Sequence, residues 1–174
     1  MKYRKVEIFN GKTFRVPENV QRLDNGATHG WQLRYGRSKL FSDHTDDGQG
    51  AKAALALAEA ELLRRIDKLP APTRLRRDVA ANKGSDMPVG VSGPIARLRA
   101  GRNTTEYSFG VTIPRFGNKP TNRSVYIGTE TTYTDERVES ALAKAIELRN
   151  KAIRNYQSAM TRAKRSMSRV RERA

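Results

Sequence analysis

The run Trp31-Gln32-Leu33-Arg34-Tyr35, then Lys39-Leu40-Phe41-Ser42, then residues 51–66, AKAALALAEAELLRRI, decides the fold of this chain. The first run alternates apolar and polar, as a strand with one buried face does. Gly36-Arg37 connects it tightly to the second run, which reads as another strand. A polar turn over residues 43–50 leads to the third. There Ala51, Leu55, Ala58, Leu62 and Ile66 recur at three- and four-residue spacing, the stripe of an amphipathic helix. Alanine is the best helix former, and its small side chain lets a helix lie close to a sheet. Leu57 and Leu63 widen the stripe. Upstream, residues 20–23 form a short strand that ends at the turn Asp24-Asn25-Gly26. Residues 18–68 are therefore expected to form strand, strand, strand and helix.

The pattern extends in both directions. In residues 1–17, YRKVEIF and KTFRV flank Asn10-Gly11, a strong hairpin signal. Residues 69–88 read as a linker: Pro70, Pro72 and Pro88 punctuate it, Arg74, Arg76 and Arg77 charge it, and few apolar side chains can fold it. Strands return over residues 89–92, 107–113 and 124–129, with a polar loop at 114–122. A helix follows from Asp135, with Thr134 as its cap and Val138, Ala141, Leu142, Ala145 and Leu148 on one face. Residues 89–158 thus repeat the order of residues 18–68, and Ala54-Leu55-Ala56 matches Ala141-Leu142-Ala143. From residue 151 onward there are eight Lys/Arg and one acid. The apolar signal fades after Met160, so residues 159–174 are expected to be a basic helical tail that frays. The expected fold class is α+β: two tandem modules, each a three-stranded antiparallel sheet packed on one helix.

Charge sets the class of partner. Among 174 residues there are 34 Lys+Arg against 18 Asp+Glu, a formal net charge of +16. Such an excess calls for a polyanion, in the first place nucleic acid. There is no cysteine, which excludes a disulfide scaffold, a zinc finger and a thiol nucleophile. No stretch approaches the roughly 18 apolar residues of a membrane span, and the first residues lack the apolar run of a signal peptide. The expectation is a soluble, cytoplasmic, nucleoid-associated protein with no membrane partner.

Catalysis finds little footing. The histidines are His29, at a strand start, and His44, within Asp43-His44-Thr45-Asp46-Asp47-Gly48. That acidic turn lacks the alternate spacing of a calcium loop and reads as solvated. No phosphate-binding, serine-nucleophile or zinc-protease motif occurs, so no enzyme activity, cofactor or metal is expected. A metal-dependent nuclease using Asp43, His44, Asp46 and Asp47 is the third-ranked alternative.

The basic residues carry more. If Trp31, Leu33 and Tyr35 pack on the helix, Gln32 and Arg34 point away from it. In the second copy, inward Tyr107, Phe109 and Val111 leave Gly110 and Thr112 outward, and inward Val125 and Ile127 leave Ser124 and Tyr126 outward. Arg37, Lys39, Arg115, Lys119 and Arg123 rim these faces. The major groove of DNA admits a β-sheet, arginine reads guanine there, and glutamine reads adenine.

Tyr126-Ile127-Gly128-Thr129, a short connection, Thr134-Asp135-Glu136 and Ala141-Leu142-Ala143-Lys144-Ala145 resemble the plant Apetala-two/ethylene-response-factor DNA-binding domain. Val89-Gly90-Val91-Ser92 resembles its first strand. The stretch from Thr28-His29-Gly30-Trp31 to the first helix is similar to bacterial and phage versions. The resemblance implies that each sheet enters the major groove of double-stranded DNA. It places contacts at Gly110, Thr112, Ser124 and Tyr126, and near Gly90 and Ser92; Arg97, Arg99 and Arg102, as basic residues beside them, are expected to supply phosphate contacts. In the first copy it leaves open whether Leu40 or Phe41 faces out. The chain departs from the plant pattern where Gly, Ser and Thr replace arginines. A bacterial or phage regulator or architectural factor is implied. An RNA-binding or ribosome-associated protein is the runner-up, since charge and exposed aromatics also suit RNA.

Overall fold

The computed structural model describes residues 1–76, 78–79, 87–98, 101 and 103–172, with side chains to residue 169. The architecture is α+β, with three small antiparallel sheets and two helices. The chain forms two compact units, residues 1–72 with 160–174, and residues 73–159.

In the first unit, β1 (Tyr3–Glu7) and β2 (Thr13–Pro17) make a hairpin, and β3 (Val20–Asn25), β4 (Thr28–Leu33) and β5 (Lys39–Ser42) make a three-stranded sheet in that order. Helix α1 (Ala51–Lys68) covers one face of that sheet. Trp31, Leu33 and Tyr35 are fully buried against Ala54, Ala58, Leu62 and Ile66, as the alternation and the helical stripe require. Each large apolar side chain buried in this way contributes about 1.5–3 kcal/mol. The Trp31 indole Nε1 donates to the Ala51 carbonyl at 2.8 Å, so its one polar atom is satisfied inside the core. The hairpin shares this core, through Ile8, Val16 and the edge of Phe14 on Trp31, ring centroids 5.7 Å apart. Helix α1 starts at Gly50, where any Cβ would lie 1.8 Å from the Asp43 carbonyl oxygen.

The second unit contains β6 (Val91–Leu98), β7 (Thr105–Arg115) and β8 (Asn118–Thr129), paired in that order, and helix α2, which runs over Asp135–Glu172. Phe109, Val111 and Ile127 pack with Ala141 and Ala145 of α2. Thr134 caps the helix, its Oγ1 accepting from the Arg137 amide at 3.4 Å. Two expectations are corrected. Most of residues 114–122 belongs to β7 and β8, with the turn at Phe116-Gly117, and Phe116 is held by the edge of Tyr156 at 5.9 Å. Backbone pairing needs no apolar side chain, so a polar sequence hid these strands. β6 runs to Leu98, well past residues 89–92. A bulge between Ser92 and Ile95 resets its alternation, and Pro94, which has no amide hydrogen, sits in that irregularity.

The basic end of the chain is helical to Glu172, and Met160, Thr161, Lys164 and Arg165 within it have partners outside the helix. From Met160 onward α2 belongs to the first unit. Thr161 Oγ1 accepts from the Ala71 amide at 3.0 Å, Lys164 Nζ meets Glu18 at 2.8 Å, and Arg165 Nε donates to the Ile66 carbonyl at 3.1 Å. Polar tethers do here what an apolar stripe does elsewhere, which is why the fading of apolar residues misled. The Lys164 hydrogen bond is the main influence on Glu18, and it holds that carboxyl below its ordinary pKa despite partial burial.

Candidate nucleic-acid interface

Strand register fixes which side chains share a face. In the first sheet Trp31 stands opposite Arg22 and Phe41, all toward the helix side, while Gln32 stands opposite Gln21 and Leu40 on the other. Leu40 therefore faces out, 40% exposed, and Phe41 packs on the core. Arg34 follows directly on β4 and is exposed, and its Nε donates to Gln32 Oε1 at 2.7 Å. One edge of the guanidinium is thus tied down and the other is left for a ligand. Arg37 lies exposed in the β4–β5 connection, where its carbonyl accepts from Arg65 Nη1. Lys39 stands opposite buried Leu33, with its ammonium 4.9 Å from the Phe41 ring centre, so it lies on the helix side of the sheet edge.

The helix side of this sheet also holds an ionic cluster that the sequence did not reveal. Arg22 donates to both oxygens of Asp43, at 2.9 and 2.6 Å, and from Nε to Asp24 at 2.9 and 3.0 Å. The Arg22 and Asp43 side chains are 6% and 0% exposed. Burial opposes the Arg22 charge, but hydrogen bonds to Asp43 and Asp24 outweigh it and raise its pKa. Burial likewise pushes the Asp24 carboxyl up, and Arg22 with His29 draws it below its ordinary value. His29 Nδ1 lies 2.8 Å from Asp24, and its ring stacks on Phe9 with centroids 4.3 Å apart. Asp43 is thus committed inside the fold. Asp46 and Asp47 are exposed, and no group of three or more His, Asp or Glu able to hold a metal occurs among the described residues.

In the second sheet Phe109 and Val111 face the helix, so their neighbours face away. Ser92, Gly110 and Ser124 form one cross-strand row, Ser108 stands between Ile95 and Tyr126, and Thr112 pairs with Asn122. Thr112 Oγ1 and Asn122 Oδ1 are 3.1 Å apart, and Ser92 Oγ donates to the Gly110 carbonyl at 3.4 Å. Tyr126 rises from this low surface, 55% exposed. Arg97, opposite Glu106, joins the same face through the reset register. Arg123 stands opposite buried Val111 and so lies on the helix side, exposed. Arg115 and Lys119 sit at the far end of the β7–β8 hairpin. Arg99 and Arg102 lie outside the described residues.

The fold therefore brings together Gln32 with Arg34, and Ser92 with Arg97, Thr112, Ser124 and Tyr126. It sets Arg37, Lys39, Arg115, Lys119 and Arg123 elsewhere on the sheet margins. Gln21, Ser108 and Asn122 join these faces without having been singled out in the sequence; strand alternation was the available signal for Gln21 and Ser108, while Asn122 lay in what read as a loop. No described helix is long and apolar enough to cross a membrane. No family model, curated protein or solved structure matches the chain.

Proposed function

We propose that this chain is a non-enzymatic double-stranded DNA-binding protein of the Apetala-two/ethylene-response-factor type, a bacterial or phage regulator or architectural factor. Its two tandem modules each consist of a three-stranded sheet backed by a helix. Each lays the sheet face opposite its helix into the major groove. The observation that carries this reading is the Gln32–Arg34 pair. It stands on the face away from α1, with the arginine held at 2.7 Å by the glutamine. A guanidinium oriented in this way is prepared for the O6 and N7 of guanine, and a good bidentate contact discriminates by about 1–3 kcal/mol. The second face offers hydroxyls, Arg97 and Tyr126. The charge of +16 supplies the phosphate attraction.

Such binding is steeply salt-dependent. With roughly 6–10 phosphate contacts, affinity for a duplex falls by about 10³–10⁵ between 50 and 200 mM salt. Titration of a labelled duplex by fluorescence anisotropy across that range tests this, and an affinity that hardly changes refutes the electrostatic part. The exposed Tyr126 ring favours the rival reading, stacking on an unpaired RNA base. Competition between equal lengths of duplex DNA and single-stranded RNA separates the two.

A further inference from the structure

Arg149 lies on α2 in the row Ala141, Ala145, Arg149, Ala152, all buried. Its own exposure is 8%. Nη1 donates to the Thr112 carbonyl, while the enclosed Nε has no hydrogen-bond partner. Burial holds its pKa below the usual arginine range, and among the described residues no carboxylate raises it again, in contrast to Arg22. A buried guanidinium without a counter-charge is costly, and proteins ordinarily supply a partner.

A cavity of about 300 Å³ opens beside it within the second unit. Its apolar walls are Leu75, Val89, Val91, Ile146 and Ile153. Arg76 and Asn150 also line it, and among the described residues no acidic side chain does. The volume is at the lower end of small-molecule sites. Gly90 shapes the approach. A Cβ there would lie 2.6 Å from Nε and 2.7 Å from Cζ of Arg149. The near-equal distances put Gly90 against the flat face of the guanidinium, which leaves its Nε edge uncovered by that residue.

We propose that this cavity binds a small organic carboxylate, its headgroup on the Arg149 guanidinium with Arg76 nearby, and its short hydrocarbon body among Val89, Val91, Ile146 and Ile153. The planar guanidinium matches a carboxylate in geometry as well as charge. The apolar walls select a carboxylate with a body over a bare inorganic anion. This site does not depend on the DNA-binding reading.

The test uses the ¹⁵N-labelled full-length chain, titrated with hexanoate, acetate or inorganic phosphate at constant ionic strength, with the Arg149 Nε–Hε resonance followed by NMR. Hexanoate is expected to shift it saturably, at least tenfold more tightly than acetate or phosphate. Arg149→Met, checked for folding by circular dichroism, is expected to weaken hexanoate at least tenfold, read on neighbouring backbone amides. Arg76→Gln, at an exposed position, keeps the test open if the first variant unfolds, and is expected to weaken binding several-fold. The proposal is overturned by a shift that does not saturate. It is equally overturned if acetate or phosphate binds as tightly as hexanoate, or if Arg76→Gln leaves the hexanoate affinity unchanged.

Discussion

The two three-stranded sheets invest their residues differently. The first has strands of four to six residues and a large core: Trp31, Leu33 and Tyr35, four alanines and three aliphatic side chains of α1 and its extension, and the hairpin residues Ile8 and Val16. The second has strands of eight to twelve residues, yet the fully buried apolar side chains behind them are Val91, Phe109, Val111, Ile127 and two alanines. Both bury an arginine on the helix side, Arg22 with two carboxylates and Arg149 with none among the described residues. The first unit thus spends its residues on being stable. The second gives up packing for a longer surface and a cavity.

The largest effect expected from this contrast comes from Phe109→Ala. Removing a buried phenylalanine costs about 3–5 kcal/mol, and a small core has little left to lose. The chain has one tryptophan, Trp31, so its fluorescence reports the first unit alone. In urea, the variant is expected to show an early transition by circular dichroism while the fluorescence midpoint stays near that of the unaltered chain. If both midpoints fall together, the contrast between the units does not hold.

Asp43→Ala comes next. It strips Arg22 of its deepest partner, and breaking a buried pair costs about 3–5 kcal/mol, part of which Asp24 recovers. The Arg22→Met/Asp43→Leu double variant, which removes both charges, is expected to recover most of the loss. Urea melts followed at Trp31 measure both. A double variant as unstable as the single one would show that the ionic cluster is not what the substitution disturbed.

Where the sequence was legible follows from the same contrast. Residues 31–35 and 51–66 were readable because a large core imposes strict alternation and a helical stripe, although Leu57, read as widening that stripe, is 62% exposed. The outward placement of Gln32, Arg34, Ser124 and Tyr126 followed directly. β6 was hidden by its bulge, and the β7–β8 extension by its polar side chains. The end of α2 was hidden because hydrogen bonds that Thr161 accepts and Lys164 and Arg165 donate replace apolar contacts. The Arg22 cluster joins residues 21 positions apart through side chains that look solvated in one dimension. Arg149 did carry a signal: it stands four residues after Ala145, in the line of the buried alanines, where a charged residue is out of place.

The smallest effect is on acid stability. Hydrogen bonds from Arg64, then Arg65, hold the Glu61 carboxyl at about 2, below its ordinary 4.5. A carboxyl depressed in the folded state stabilises above the unfolded value and loses that contribution as pH falls through the folded one. Glu61 therefore contributes fully above about pH 4.5 and progressively less toward about pH 2. Glu61→Gln is expected to flatten the fall in melting temperature over that window; an acid limb that keeps its slope would rule out this carboxyl as a contributor.

In the proposed function the sheet face opposite the helix reads DNA sequence. In the full-length chain, compare Gln32→Ala/Arg34→Ala with Arg162→Ala/Arg169→Ala, the latter at exposed positions near the end of α2. Both are measured on a duplex selected from a random pool and on an unselected duplex at one stated salt concentration. The sheet-face variant is expected to lose most of its preference for the selected duplex, about 1–3 kcal/mol per base contact, while keeping its affinity for the unselected one. The helix-end variant should weaken on both alike. A sheet-face variant that keeps its preference, or a helix-end variant that loses it, would rule out sequence reading by this sheet face.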